Sequence, residues 1–326
     1  MADAERVFQR DAPATLPSGT GVLVDSTTGG DKQKIALAYS AAGDATAITA
    51  DSSGLLVNLG ANNDVGINAG TNVVGAVVPY KLHVKMGNVS GTTVFEKFGR
   101  NDDVDTTTDP EDVWNGSGLY TGHPTGSAET LEIFSSDAND TVLGSGAQTV
   151  TIYNLLDATG AVSADVTLDM DGTTPVSLGA TTYYRGGTRV KVRTAGATGW
   201  NEGTITVRHT TTTANIFSVM PIAFNQTVVG AYTVPLGQTL YLDRLYAVLS
   251  RATGAAGSAL VQLRDRPFGG VFNLVTAPEI TTSVPYDPDN SIYSFAARTD
   301  LIWRVQFVSD SNSIIVAEMG GYLVDD

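Results

Sequence analysis

The sequence predicts an all-β protein, with an N-terminal extended arm of short strands followed by two β-sandwich domains of jelly-roll type. Three observations carry this. Apolar residues alternate with polar ones in short runs, whereas recurrence at helical spacing rarely lasts more than a turn. Thirty-five glycines in 326 residues, with frequent Thr, Ala and Val and 8% aromatics, describe a chain that turns often and favours extended backbone. At 42% apolar the chain is too hydrophobic to be disordered throughout.

The arm is assigned to residues 1–80. Gly21-Val22-Leu23-Val24-Asp25, Lys34 to Tyr39 and Gly54-Leu55-Leu56-Val57-Asn58-Leu59 read as single short strands separated by Ser, Thr, Gly, Asn and Asp. Tyr39 is the only aromatic between Gln9 and Pro79, so a core built here alone would be small. Ordering backbone costs on the order of 1–2 kcal/mol per residue, so the arm is expected to gain its order from other chains or from the later domains. An unstructured tail is the alternative. Val22, Leu23, Val24, Leu55, Leu56 and Val57 are the candidate assembly contacts, as apolar strand residues without a local core. The competing reading packs them on the first sandwich of the same chain.

The first sandwich is assigned to residues 81–220. It opens with Val94-Phe95-Glu96-Lys97-Phe98 and carries the alternating runs Val166/Leu168/Met170, Val190/Val192 and Ile205/Val207. The second occupies 221–326, with Leu301/Trp303/Val305/Phe307 as its bulkiest face and Phe224, Tyr241, Phe268, Phe272 and Tyr322 as core or interface aromatics. His209 to Asn215, which contains four consecutive threonines, is the expected connection between them. Asp171-Gly172, Gly186-Gly187, Gly269-Gly270 and Gly320-Gly321 are read as turns.

Charge and composition narrow the function. A net charge of −15 on 16% charged residues is dilute acidity, opposite to the clustered Lys and Arg that offset phosphate in a nucleic-acid binder. With no cysteine, thiolate catalysis, disulfides and thiolate zinc sites are excluded. Met1 to Asp11 lacks a basic stretch followed by an apolar segment, so no export signal is expected, and no apolar run approaches a membrane span. His83, His123 and His209 form no H-E-x-x-H pair, and neither a G-x-S-x-G elbow nor a phosphate loop occurs. No catalytic residue, metal site or cofactor is therefore assigned.

The acidic cluster Asp102, Asp103, Asp105, Asp109, Glu111 and Asp112 needs weighing. Oxygen-rich loops of this kind can hold Ca²⁺, but the spacing does not match an EF-hand loop, and a solvated loop is the reading preferred. Asp169/Asp171 and Asp287/Asp289 share the ambiguity. Trp114 and Tyr120 beside the cluster fit either a sugar-stacking hydrolase site or two anchors folded into the core.

The runs Ala231 to Leu242, Leu245-Tyr246-Ala247 and Arg264 to Phe272 resemble the C-terminal module of accessory virion proteins of tailed bacteriophages. Lys97 to Asn101, Val104-Asp105-Thr106, Val113-Trp114 and Ala50 to Val57 are similar to other stretches of the same proteins. The resemblance implies a multimeric structural part of the particle, on the head surface or the tail. The expectation is a non-enzymatic capsid-decoration or head-fibre subunit, a homotrimer that docks through its arm on the major capsid protein and contacts neither nucleic acid nor membrane. The alternative is a tail fibre or spike that binds a host surface glycan, with or without hydrolase activity. Either role places the protein in the virion, assembled in the host cytoplasm.

Overall fold

The computed structural model describes residues 79–107, 110–251, 257–281 and 292–326, and the backbone of 20–24 and 35–39. The chain divides into two compact units, Met1–Val77 and Val78–Asp326. In the first, β1 (Thr20–Val24) pairs antiparallel with β2 (Ile35–Tyr39), with Val22 opposite Leu37.

The second unit opens with the short helix α1 (Tyr80–Lys85). Pro79, at φ −55°, has no N–H to lose at the helix start, and Gly87, at φ 76°, ends the turn in the left-handed region. The rest is antiparallel β structure. It runs through β3 (Thr92–Val104), β4 (Glu111–Asp112), β5 (Leu131–Ser135), β6 (Ala147–Tyr153), β7 (Leu156–Asp157), β8 (Val166–Asp169) and β9 (Val176–Ser177). There follow β10 (Tyr183–Arg185), β11 (Arg189–Ala195), β12 (Ile205–His209), β13 (Ile216–Met220), β14 (Ala231–Thr233) and β15 (Gln238–Arg251). The last are β16 (Ser258–Arg266), β17 (Asn273–Thr276), β18 (Glu279–Thr281), β19 (Tyr293–Phe295), β20 (Asp300–Val308) and β21 (Ser313–Asp325).

Two pairs of sheets enclose two cores. The sheets β11-β6-β8 and β13-β12-β5-β9 bury Leu131, Ile133, Val150, Ile152, Val190, Ile205, Val207 and Phe217. The sheet β19-β15-β21-β3 and the six-stranded sheet of β14, β20, β16 and β17, joined by β4 and β18, bury Leu240, Leu242, Leu245, Val261, Leu263, Trp303 and Val305. A smaller cluster of Trp114, Tyr120, Val219, Val229, Ala231 and Ile302 draws on elements from both halves. Each fully buried Leu or Ile contributes about 1.5–3 kcal/mol relative to leaving it in water.

Several sequence expectations change here. Thr92–Val104, the run that opens the 81–220 segment, pairs along its length with Ser313–Asp325, and Glu111–Asp112 pairs with Val305 and Arg304. The threonine run between His209 and Asn215 is not a connection between domains. It is the turn of the β12–β13 hairpin, in which Arg208 sits opposite Ile216. Gly320 and Gly321 are not turn residues either. They lie inside β21, where a Cβ on Gly321 would fall 1.9 Å from the Tyr241 carbonyl oxygen. The alternation in β20 breaks as well: its register shifts opposite Leu260/Val261, so Trp303 and Val305 are fully buried while Phe307 is 49% exposed.

Candidate functional site: an ionic junction and an open sheet face

The first conspicuous feature is a buried ionic junction centred on Asp300, at the start of β20. Its Oδ1 accepts hydrogen bonds from Arg185 Nε at 2.9 Å and Thr233 Oγ1 at 2.6 Å. Its Oδ2 accepts from Arg185 Nη2 at 2.8 Å and from Arg266 Nη2 and Nε at 2.6 and 3.0 Å. Arg185 lies on β10, in the half containing the β5–β13 core, while Asp300, Thr233 and Arg266 belong to the other half. The junction therefore ties the two cores together. Burial opposes ionisation of Asp300, but the His123 ring, the Arg185 guanidinium and the Thr233 hydroxyl hold its carboxyl well below the usual carboxylate range.

His123 sits beside this carboxylate, with Nε2 3.8 Å from Asp300 Oδ1, edge-on to Tyr120. Burial pushes its imidazole down to about 3, so it is neutral near pH 7, and neither ring nitrogen has a hydrogen-bond partner among the described residues. Tyr120 donates its O–H to the Phe217 carbonyl at 2.8 Å, and burial raises its phenol above the usual range.

Of the acidic cluster singled out in the sequence, Asp102, Asp105, Glu111 and Asp112 are spent on local structure, while Asp103 is exposed. Asp112 takes Arg304 with both oxygens, at 2.7 and 3.1 Å, and the Tyr120 N–H at 2.7 Å. Glu111 is buried and accepts from Asn101 Nδ2 and from the backbone N–H groups of Asp105 and Gly118. Asp102 pairs with Arg100 and accepts from Asn115. Trp114 and Tyr120 are buried and pack edge to face at 5.1 Å, as core anchors rather than a sugar platform. Asp109, Asp287 and Asp289 lie outside the described residues, as do Leu55, Leu56 and Val57. Val22, Leu23 and Val24 fall in β1, paired with β2. No group of three His, Asp or Glu able to hold a metal ion occurs among the described residues, nor does a helix long and apolar enough to cross a membrane.

Composition alone did not single out Asp140, which is fully buried. It gathers Ser135 Oγ and the N–H groups of Ala147, Glu202 and Gly203, at 2.5–2.9 Å. A carboxylate in this position pins a loop and has no oxygen left over for chemistry.

The second feature is the outer face of the sheet β19-β15-β21-β3. Its cross-strand rows are Val94–Tyr322–Tyr241, Glu96–Gly320–Arg244, Phe98–Glu318–Tyr246 and Arg100–Val316–Val248. Phe98 is 43% exposed and Tyr241 39%, while Tyr246, Val248, Val316 and Tyr322 are half-buried. Helix α1 covers one end: Tyr80 meets the Tyr322 ring at 5.4 Å and Lys81 binds Glu96 at 2.7 Å. Arg244 lies across the middle, 2.5 Å from Glu318 and 3.5 Å from Glu96. Gly320 leaves room for that guanidinium, since a Cβ there would stand 2.8 Å from Arg244 Nη2. The face thus combines aromatic and aliphatic side chains with a central band of paired charges.

No family model matches the chain and no curated protein matches it. Among solved structures, that of the infectious bursal disease virus Gt strain aligns with 76% of this chain and 78% of that chain, at 9% identity and a TM-score of 0.18. A mutant VP2 protein of the same virus, in derived T=1 particles, aligns with 76% of this chain and 84% of that chain, at 8% identity and a TM-score of 0.13. At these scores the likeness carries no conclusion about fold or role.

Proposed function

We propose that the chain is a non-enzymatic structural subunit of a virus particle, a capsid decoration or head fibre of a tailed phage, acting by multimeric attachment. Each sheet pair is read as a β-sandwich, the second unit projecting and the N-terminal unit docking on the shell. The observation that carries the proposal is the outer face of β19-β15-β21-β3. Exposed aromatic side chains gathered on one sheet face beside paired charges suit a protein–protein contact. A second copy of this chain is the occupant proposed. The acidic groups Glu96 and Glu318 are matched on the face itself by Lys81 and Arg244, which lowers the like-charge repulsion between two copies of a strongly acidic protein meeting there. A trimer is the state preferred, consistent with the closed symmetry of repeated components.

The buried carboxylates support the same reading. Asp112, Asp140 and Asp300 each accept three or more hydrogen bonds from the fold, which makes them ties rather than reagents. The test is mass spectrometry of purified particles that carry this chain, calibrated against the major capsid protein. Many copies per particle, in fixed ratio to the shell, are expected of a decoration. Absence from the particle, or turnover of a polysaccharide by the purified chain that is lost on Glu111→Gln, would defeat the proposal.

A further inference from the structure

A cleft of about 410 Å³ opens beside the ionic junction, bordered by the 124–128 loop, the Pro267–Gly270 turn, Tyr184 and Arg298. Arg185, Arg266 and Arg298 line it, and no acidic residue does among the described residues. In a chain of net charge −15 this is a local reversal of sign.

Counting donors shows what the cleft has left to offer. Arg185 spends all five N–H groups: on Asp300, on the Pro124 and Tyr184 carbonyls and on the Tyr184 hydroxyl. Arg266 spends Nε and Nη2 on Asp300 and the His123 carbonyl, which leaves Nη1 without a partner among the described residues. The Tyr184 hydroxyl accepts from Arg185 at 3.0 Å, so its own proton remains to be donated, and burial keeps the phenol protonated. The Arg298 side chain has no carboxylate partner among the described residues. Its guanidinium lies 3.3 Å from the Phe268 ring centre and 4.9 Å from that of Tyr184, and its Nε is buried and unpartnered.

Arg298 also holds a backbone φ of 64°, in the left-handed region that costs a non-glycine residue roughly 1–2 kcal/mol. Its N–H is bonded to the Val234 carbonyl at 2.7 Å, which fixes the strained position. A strained arginine, packed against two rings and given no counter-ion among the described residues, is what a waiting ligand site shows. The free groups are all donors, the complement of an acceptor-only oxyanion. Around them stand Thr125, Ser127 and the backbone of Gly126, Gly269 and Gly270, which suit sugar hydroxyls, and the 55% exposed Phe268 ring, which suits a pyranose face. The volume lies within the usual range of small-ligand pockets, about 300–1,000 Å³. The acidity of the rest of the chain disfavours a long polyanion and favours a single terminal acid group.

We propose that this cleft binds a carboxylate-bearing monosaccharide unit, its carboxylate on Arg298 and Arg266 Nη1 and its ring against Phe268. Binding here is independent of where the protein sits in a particle.

The test is saturation-transfer NMR and calorimetry on the full chain with glucuronic acid, glucose and inorganic phosphate as probes. Glucuronic acid is expected to bind with Kd on the order of 1 mM, equivalent to about −4 kcal/mol. Glucose should bind at least tenfold more weakly. Arg298→Ala and Phe268→Ala should each weaken glucuronic acid at least tenfold with the unfolding midpoint unchanged within a few degrees. No transfer to glucuronic acid, equal binding of glucose, or indifference to both variants overturns the proposal. Phosphate binding tighter than glucuronic acid would make this a bare-anion site and overturn the sugar assignment.

Discussion

Arg185 and Asp300, 115 residues apart, meet in a bidentate ion pair in which both side chains are almost wholly buried. The pair spans the two cores, so its geometry couples halves of the second unit whose main cores are separate and which share only the smaller Trp114 cluster. Removing one partner leaves the other charge buried and uncompensated, which costs far more than the pair itself contributes.

Asp300→Asn is therefore expected to destabilise the protein by about 3–5 kcal/mol. It should also weaken the coupling between halves, so that urea unfolding followed by the fluorescence of Trp303 in one half and Trp200 in the other becomes broader or biphasic. A loss under about 1 kcal/mol with a single unchanged transition would contradict a tie between the cores.

Acid should destabilise in two stages, and the sign follows from which state holds the proton. The folded imidazole of His123 resists protonation down to about 3, whereas the unfolded ring takes a proton near pH 6.5. The stability due to a neutral His123 is complete above about pH 6.5 and is lost as pH falls from there toward 3. Asp300, held low in the fold, adds a further loss below about pH 4. His123→Phe, which keeps a ring between Tyr120 and Phe272, should flatten the urea midpoint between pH 6.5 and 4. A slope equal to that of the parent protein would count against this origin.

Lys97 on β3 is buried, donates to the Thr188 carbonyl at 2.9 Å, and has its ammonium pushed down to about 7 by burial, with the Arg189 charge adding to the effect. The unfolded lysine holds its proton up to about 10.4, so the folded state gains stability as pH rises from 7 toward that value. Lys97→Met should be the more stable protein at pH 7, and its advantage should shrink steadily between pH 7 and 10. An advantage that grows with pH would reverse the argument.

Gly99 in β3 and Gly230 pass so closely that a Cβ on Gly99 would lie 2.2 Å from the Gly230 nitrogen and 2.6 Å from the Val113 carbonyl. Both obstacles are backbone, which cannot swing aside. Gly99→Ala should cost at least about 2 kcal/mol, read from the denaturant midpoint. A neutral effect would mean that the strands can separate there without loss.

Much of the fold is legible in the sequence, because period-two alternation is a local property. Val190, Ile205/Val207 and Leu301/Trp303/Val305 sit on strands with their side chains buried, and Val192 packs half-buried beside them. Features set by partners distant in sequence are not legible. Phe307 continues the alternation on paper, yet one register shift turns it outward. Gly320-Gly321 looks like a turn because the pressure that demands glycine there, from Tyr241 and Arg244, comes from another strand. Arg185 and Arg266 carry no local sign that they converge on Asp300, and Arg298 resembles any surface arginine until its φ and its two rings are seen together. The open sheet face was partly visible, since Tyr241 and Tyr322 stood out as core or interface aromatics. Phe98 did not, because its outward direction depends on pairing with β21.

Sedimentation equilibrium of the full chain at micromolar concentration, beside Phe98→Glu and Tyr246→Glu, tests the assembly claim most directly. A discrete homo-oligomer, with three copies preferred, that dissociates in both variants while their unfolding midpoints stay near that of the parent is the outcome expected. A parent chain that sediments as a monomer, or an oligomer indifferent to both charges, would contradict it.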